Sequence, residues 1–201
     1  MNGVLIRRPA WLFIALVLTA CRPAWPEPVA VSPTANESPT RTPLPEPMPT
    51  APPAPITLTS TSFAAGAEIP APYVCATYGG VDRSPALTWG DLPTGTQSLA
   101  LTLLDPDAGQ YVHWLVANIP ADAAGFDEGQ VPAGAVEGWT TNGTTGYFGP
   151  CPDATHRYVF TLYALDVATE LEPGFGWIDF RRATDGHVVG EGQLIGLYTP
   201  P

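Results

Sequence analysis

Residues 103–118 read LLDPDAGQYVHWLVAN, and this stretch decides the fold. An apolar run from Ser98 to Leu104 ends in Asp105-Pro106-Asp107-Ala108-Gly109, and a second apolar run begins at Val112. Pro and Gly beside short polar acceptors are turn chemistry, and both flanking runs are rich in strand formers, so the stretch predicts a β-hairpin. Its polar content sets it apart. Two carboxylates close one strand and His113 opens the next, so strand pairing brings Asp105 or Asp107 and His113 to one rim of the sheet. An Asp–His pair there can orient an imidazole, bind an anion or hold a metal. The plainer reading is a local turn hydrogen bond and a structural histidine.

Working outward, the segment from Ile56, ITLTSTSF, alternates apolar and hydroxyl residues as a half-buried strand does. Further strands are expected at Tyr73–Thr77, Ala86–Trp89, Arg157–Leu165 and Gln193–Tyr198. Turn clusters such as GGVDRSP, DLPTGTQ, NIPADAAG and TTNGTTG separate them. Helical periodicity is weak, with short candidates around Ala121 and in Ala168–Phe175. Many short strands joined by Gly/Pro-rich turns predict an all-β sandwich. Residues 56–201 suffice for one core. The segment from Ala121 to Gly146 reads as a surface excursion pinned by Phe126 and Trp139.

The start of the chain reads as processing signal and spacer. Arg7 and Arg8 precede a mainly apolar run from Trp11 to Ala20, too short to span a bilayer, and Leu18-Thr19-Ala20-Cys21 follows. This resembles a bacterial lipoprotein signal over residues 1–21, with Cys21 lipidated. Residues 22–55 then form a linker in which 12 of 34 residues are Pro, a composition that favours extended backbone and lacks apolar residues to bury. At roughly 3 Å per residue the linker reaches about 100 Å. The expected location is therefore outside the cytoplasm, lipid-anchored to the cell membrane.

Charge narrows the partners. The chain contains no lysine, and its formal net charge is −11. Residues 56–201 carry 4 Arg against 16 Asp plus Glu. Nucleic acid is excluded as an expected partner, because phosphate backbones need a basic face. A small anion remains open, since a few N–H groups and an imidazole can bind one locally.

A second signature is GYFGPCPDATHRYVFTLYALD, Gly146 to Asp166. Gly146, Gly149, Pro150 and Pro152 fix an unusual loop, and His156 and Arg157 sit where the loop becomes a strand. His187, in a TDGH turn, reads as exposed. DPDA followed by HWLVANIP, then GYFGPCP and HRYVFTLYALD, resembles the phosphatidylethanolamine-binding protein family, in its bacterial Raf kinase inhibitor-like branch. The likeness runs from about Thr59 to Tyr198. It implies a β-sandwich of two antiparallel sheets with Greek-key topology, and a small pocket for phosphate, acetate and similar anions. By motif the pocket residues are Asp105, Asp107, His113, Pro152 and His156, with Tyr158 packing beside them and Trp89 as a wall. In that picture protonated imidazoles face the anion and the Asp pair orients them. The stretch between Pro152 and His156 is shorter than is usual in the family and adds Asp153, which is expected to narrow the pocket or make it less welcoming to an anion. Cys75 and Cys151 are an even pair in an export compartment, so either a disulfide or two buried thiols is open.

These readings predict a non-catalytic, membrane-tethered binding protein for a small anion or phospholipid headgroup, without cofactor or metal. Two alternatives stay open: inhibition of an extracellular hydrolase or other protein partner through the surface, and a metal-dependent hydrolase. By analogy with bacterial relatives, a homodimer is possible.

Overall fold

The computed structural model describes residues 52–201. The expected signal over 1–21, the lipidation at Cys21 and all but the last residues of the 22–55 linker lie outside them. Nine strands and one α-helix follow in order: β1 (Ala54–Pro55), β2 (Thr57–Thr59), β3 (Leu87–Gly90), β4 (Ser98–Asp105), β5 (Tyr111–Pro120), β6 (Gly125–Phe126), β7 (Val136–Glu137), β8 (His156–Leu165), α1 (Trp177–Thr184) and β9 (Val188–Tyr198). The large sheet runs β1-β9-β8-β4-β5-β7 and the small one β2-β3-β6.

The two central strands are apolar on both faces, and each face has its own partner. Leu99, Leu101 and Leu103 of β4, with Phe160 and Leu162 of β8, pack into one core with Leu58, Leu87, Trp89 and Phe126 of the small sheet. Ala100 and Leu165 face the other way, joining Val112, Leu115, Phe175 and Phe180 of α1 in a second cluster. The predicted hairpin is β4–β5, antiparallel, with Asp105 opposite Tyr111.

Several expected elements differ. Tyr73–Thr77 is no strand: two 3-10 turns, Ala71–Tyr73 and Ala76–Tyr78, occupy the region. Pro72 has no N–H to give to a ladder, and Pro70 sets up the first turn. The strand expected over ITLTSTSF stops at Thr59, where Ser60 Oγ donates to the Ala86 carbonyl and accepts from the Ser62 N–H. Such local hydroxyl bonds replace the ladder. No helix forms at Ala168–Phe175, because Asn118 takes its backbone instead, with Nδ2 donating to the Leu171 carbonyl at 2.7 Å and Oδ1 accepting the Leu171 N–H at 3.0 Å. The helix lies later, at α1, where Phe180 and Thr184 are its buried residues, too few to display a period.

The excursion from Ala121 to Gly146 enters both sheets, supplying β6 to the small one and β7 to the edge of the large one. Phe126 pins it, buried edge-on against Trp89 and Trp114, whereas Trp139 is 50% exposed. Strand pairing also reaches back into the segment read as linker, since Ala54 and Pro55 lie parallel to Gly190 and Glu191. Pro is tolerated there because β1 is an edge strand.

Candidate functional site

The end of β4, the start of β5, the loop around Phe148–Asp153 and the start of β8 meet at one rim of the large sheet. They enclose a cleft of about 370 Å³ lined by Asp105, Tyr111, His113, Phe148, Cys151, Pro152, Asp153, His156 and Tyr158, with Ala108 at its edge.

His113 reaches the cleft through a β-bulge. Leu103 pairs with Trp114, but the next residue, Leu104, pairs with Val112. One extra residue on β5 therefore breaks the alternation. Val112 stays on the helix side and Trp114 in the inter-sheet core, while His113 between them lines the cleft.

Asp105 is buried at the end of β4, and both its oxygens are engaged. Oδ1 accepts the N–H groups of Asp107 and Ala108 at 2.9 and 3.0 Å, capping the 3-10 turn Pro106–Ala108. Oδ2 accepts from His156 Nδ1 at 2.7 Å. The carboxylate thus fixes the His156 ring, whose other nitrogen lies 4.0 Å from Asp153 Oδ1 at the cleft mouth.

His113 is oriented differently from the expectation. Its Nδ1 lies 2.8 Å from the Phe148 carbonyl oxygen, which can only accept, so Nδ1 carries the proton. The ring stacks on Phe148 at 5.4 Å and meets Tyr158 edge-on at 5.1 Å. Burial lowers its pKa, against the opposing pull of that carbonyl and of the Asp105 charge. Nε2 makes no hydrogen bond among the described residues. Only His156 is held directly by a carboxylate, and by Asp105 alone rather than by the Asp pair.

Asp107 is brought to the same rim but turned outward. It accepts from Arg157 Nε at 3.0 Å, Arg157 Nη2 at 2.6 Å and the Arg157 N–H at 2.8 Å. Those bonds hold its carboxyl down to about 2. The pair removes from the cleft the nearest guanidinium. Trp89 is not a cleft wall either: it sits in the inter-sheet core against Phe126, its Nε1 donating to the Ala123 carbonyl at 2.8 Å. It lies on β3 of the small sheet, on the same buried face as Leu87.

Tyr158 is fully buried on β8, and its Oη meets no hydrogen-bond partner of good geometry among the described residues. Burial, then the nearby Asp105 charge, raises its pKa, so it remains an O–H donor. The loop above it is held in three ways. Cys75 and Cys151 are joined by a disulfide, with Cα atoms 5.5 Å apart. The Tyr78 hydroxyl donates to the Pro152 carbonyl. At Gly149 the loop comes so close that a Cβ would lie 2.6 Å from the Tyr73 carbonyl oxygen, a contact that only glycine permits. His187 is partly exposed beside Asp166, far along the chain from the cleft residues.

Tyr111 and Phe148 complete the aromatic wall and were not singled out in the sequence. Period two counted back from His113 leads to Tyr111. Phe148 lies in an irregular loop, where no periodicity points to it. Among the described residues no cluster of three or more His, Cys, Asp or Glu side chains is placed to hold a metal ion.

A cleft with oriented imidazoles and a free phenol, built on rigid strand ends, defines a ligand-binding β domain. The phosphatidylethanolamine-binding protein family model matches residues 59–199. A UPF0098 protein of Methanothermobacter thermautotrophicus is 45% identical over 149 residues, covering 70% of this chain and 97% of the relative. The Mycobacterium tuberculosis protein LppC, named as a lipoprotein, is 41% identical over 148 residues, covering 71% and 72%. Crystal structures of a phosphatidylethanolamine-binding protein homologue from Chlamydia trachomatis and of YbcL from Escherichia coli are similar, with TM-scores of 0.67 and 0.68. Their identities are 39% and 27%; each alignment covers 73% of this chain, and 98% or 99% of the other. The chain belongs to the phosphatidylethanolamine-binding protein family.

Proposed function

We propose that this domain is a non-catalytic binding protein whose cleft takes a small oxyanion, free or as a phosphate-bearing headgroup. The observation that carries the reading is Tyr158, whose fully buried Oη lacks a partner of good geometry among the described residues while its side chain lines the cleft. A buried donor left unpaired is costly, and an anionic oxygen satisfies it. His156, fixed by Asp105, supplies a second polar contact. Tyr158→Phe separates binding from folding. Removing an unpartnered hydroxyl leaves unfolding in urea unchanged within about 0.5 kcal/mol, whereas losing a hydrogen bond to a charged ligand weakens phosphate binding by roughly 10- to 100-fold. Phosphate affinity equal to that of the parent protein, read from NMR shifts of the cleft histidines, would sink the reading.

The same reading places the domain outside the cytoplasm on a lipid at Cys21. The Leu18–Cys21 pattern supports this, as does the lipoprotein name of the M. tuberculosis relative. No helix among the described residues is long and apolar enough to cross a membrane. In a bacterial host, Cys21→Ser moves the protein out of the detergent-soluble membrane fraction. Unchanged membrane partition of that variant rules lipid anchoring out.

A further inference from the structure

The GGVDRSP turn, residues 79–85, carries a carboxylate that lies outside the cleft and is bonded to its wall. Asp82 Oδ1 accepts the Gly149 N–H at 2.9 Å. That N–H and the Phe148 carbonyl are the two ends of one peptide group, and the carbonyl oxygen lies 2.8 Å from His113 Nδ1. We propose that Asp82 is a positioning residue for His113, acting through the Phe148–Gly149 peptide. It fixes which ring nitrogen carries the proton, and so which one is left free.

The peptide is held against rotation. The Phe148 N–H donates to the His113 carbonyl at 2.9 Å, so Phe148 meets His113 through both of its backbone groups. Gly149 is pressed against the preceding segment, since a Cβ there would lie 2.6 Å from the Val74 carbonyl carbon. Asp82 is anchored on that same segment, its own N–H donating to the Val74 carbonyl at 3.1 Å. Its φ of 50° is a conformation that Asp tolerates better than most residues. No backbone carbonyl among the described residues takes the Gly149 N–H, so Asp82 supplies the acceptor that a packed loop requires.

No ion pair among the described residues neutralises Asp82; the adjacent Arg83 pairs with Glu128 at 3.9 Å instead. The carboxylate lines a separate cavity of about 170 Å³ with Ser84, Trp114, Glu137 and Tyr147. Negative charge at the N–H end polarises a peptide and makes its carbonyl oxygen a stronger acceptor. The His113 N–H is then held more tightly and the protonated ring is favoured. The other titratable groups around the ring are Asp105 at the end of β4, Tyr111 on β5, His156 and Tyr158 on β8, and Asp153 in the loop. Burial lowers the pKa of the ring, and the Phe148 carbonyl is the strongest influence raising it, ahead of the Asp105 charge. Asp82 acts on that carbonyl. Each cleft histidine thus answers to a carboxylate, His156 directly and His113 across one peptide.

The test is an NMR titration of the histidine rings in the full chain without ligand, so its failure leaves the anion-binding reading standing. Asp82→Asn keeps an oxygen for the Gly149 N–H and tolerates the same φ, but removes the charge. The proton affinity of His113 falls about threefold or more, the effect of one charge a few ångströms beyond a hydrogen bond. That of His156 stays as in the parent. Asp82→Ala removes the acceptor as well, and above the His113 midpoint its ring nitrogen shifts report a mixture of tautomers in place of Nδ1–H alone. Glu137→Gln controls for a plain field effect. It neutralises the other carboxylate of the same cavity, which accepts from Trp114 Nε1 at 2.7 Å and does not touch the peptide, and it leaves His113 unchanged. A His113 midpoint unmoved in Asp82→Asn, or moved equally in Glu137→Gln, overturns the route through the peptide. A single Nδ1–H tautomer in Asp82→Ala overturns the positioning role.

Discussion

Reducing the Cys75–Cys151 disulfide is expected to lower the stability of the domain by about 4 kcal/mol. The two cysteines are 76 residues apart, and cross-linking a loop of that length removes about this much conformational freedom from the unfolded chain. Cys75→Ser and treatment with a thiol reductant have the same effect, seen as a lower urea midpoint. A midpoint that does not move in either case shows that the bond contributes nothing. The effect extends to the cleft, because Cys151 lines it and the Cys75 N–H donates to the Pro150 carbonyl of the loop at 3.1 Å. After reduction, phosphate binding also weakens, since a loosened loop must be ordered when the ligand arrives.

Asp105→Ala is the second large effect, about 3 kcal/mol of stability. The side chain is 2% exposed and accepts three hydrogen bonds: two from the turn that it caps and one from His156. Its loss uncaps the turn and leaves a buried imidazole N–H without its acceptor. Asp105→Asn retains a carbonyl oxygen for the turn, so it recovers the capping part, about 1 kcal/mol. It does not restore the charge beside His156. Chemical unfolding of both variants gives the two contributions separately. An alanine variant as stable as its parent would mean that the carboxylate only orients His156.

Much of the site could be read from the sequence because turn chemistry is local. The Asp-Pro-Asp-Ala-Gly run predicts a hairpin, and a hairpin necessarily brings its two ends together. Asp105 and His113 were found in that way; His156, beyond the Gly/Pro loop, came from its place at a strand start and from the family motif. Greater distance defeated the reading elsewhere. Nothing local shows that Arg157 reaches across 50 residues to Asp107, so Asp107 read as a cleft residue. Trp89 was read as a cleft wall, but nothing local in the LTW strand says that it packs into the core between the sheets instead. The helix α1 escaped because eight residues with few buried positions display no repeat. The backbone preferences of Tyr73–Thr77 were overridden by the prolines around it and by the bond to Cys151.

The bulge on β5 has a consequence for chain length. Between Asp105 and Trp114 the number of residues, and not just their identity, decides whether a histidine can look into the cleft. Removing a single position there restores an uninterrupted pleat, with Trp114 still held in the core by its indole N–H on Glu137 at 2.7 Å. The residue before it would then be sent to the helix side. A relative with this β architecture and one residue fewer in that segment would keep its fold and lose the imidazole from its cleft. Counting that interval is thus a more direct guide to the make-up of the cleft than matching the motif letters.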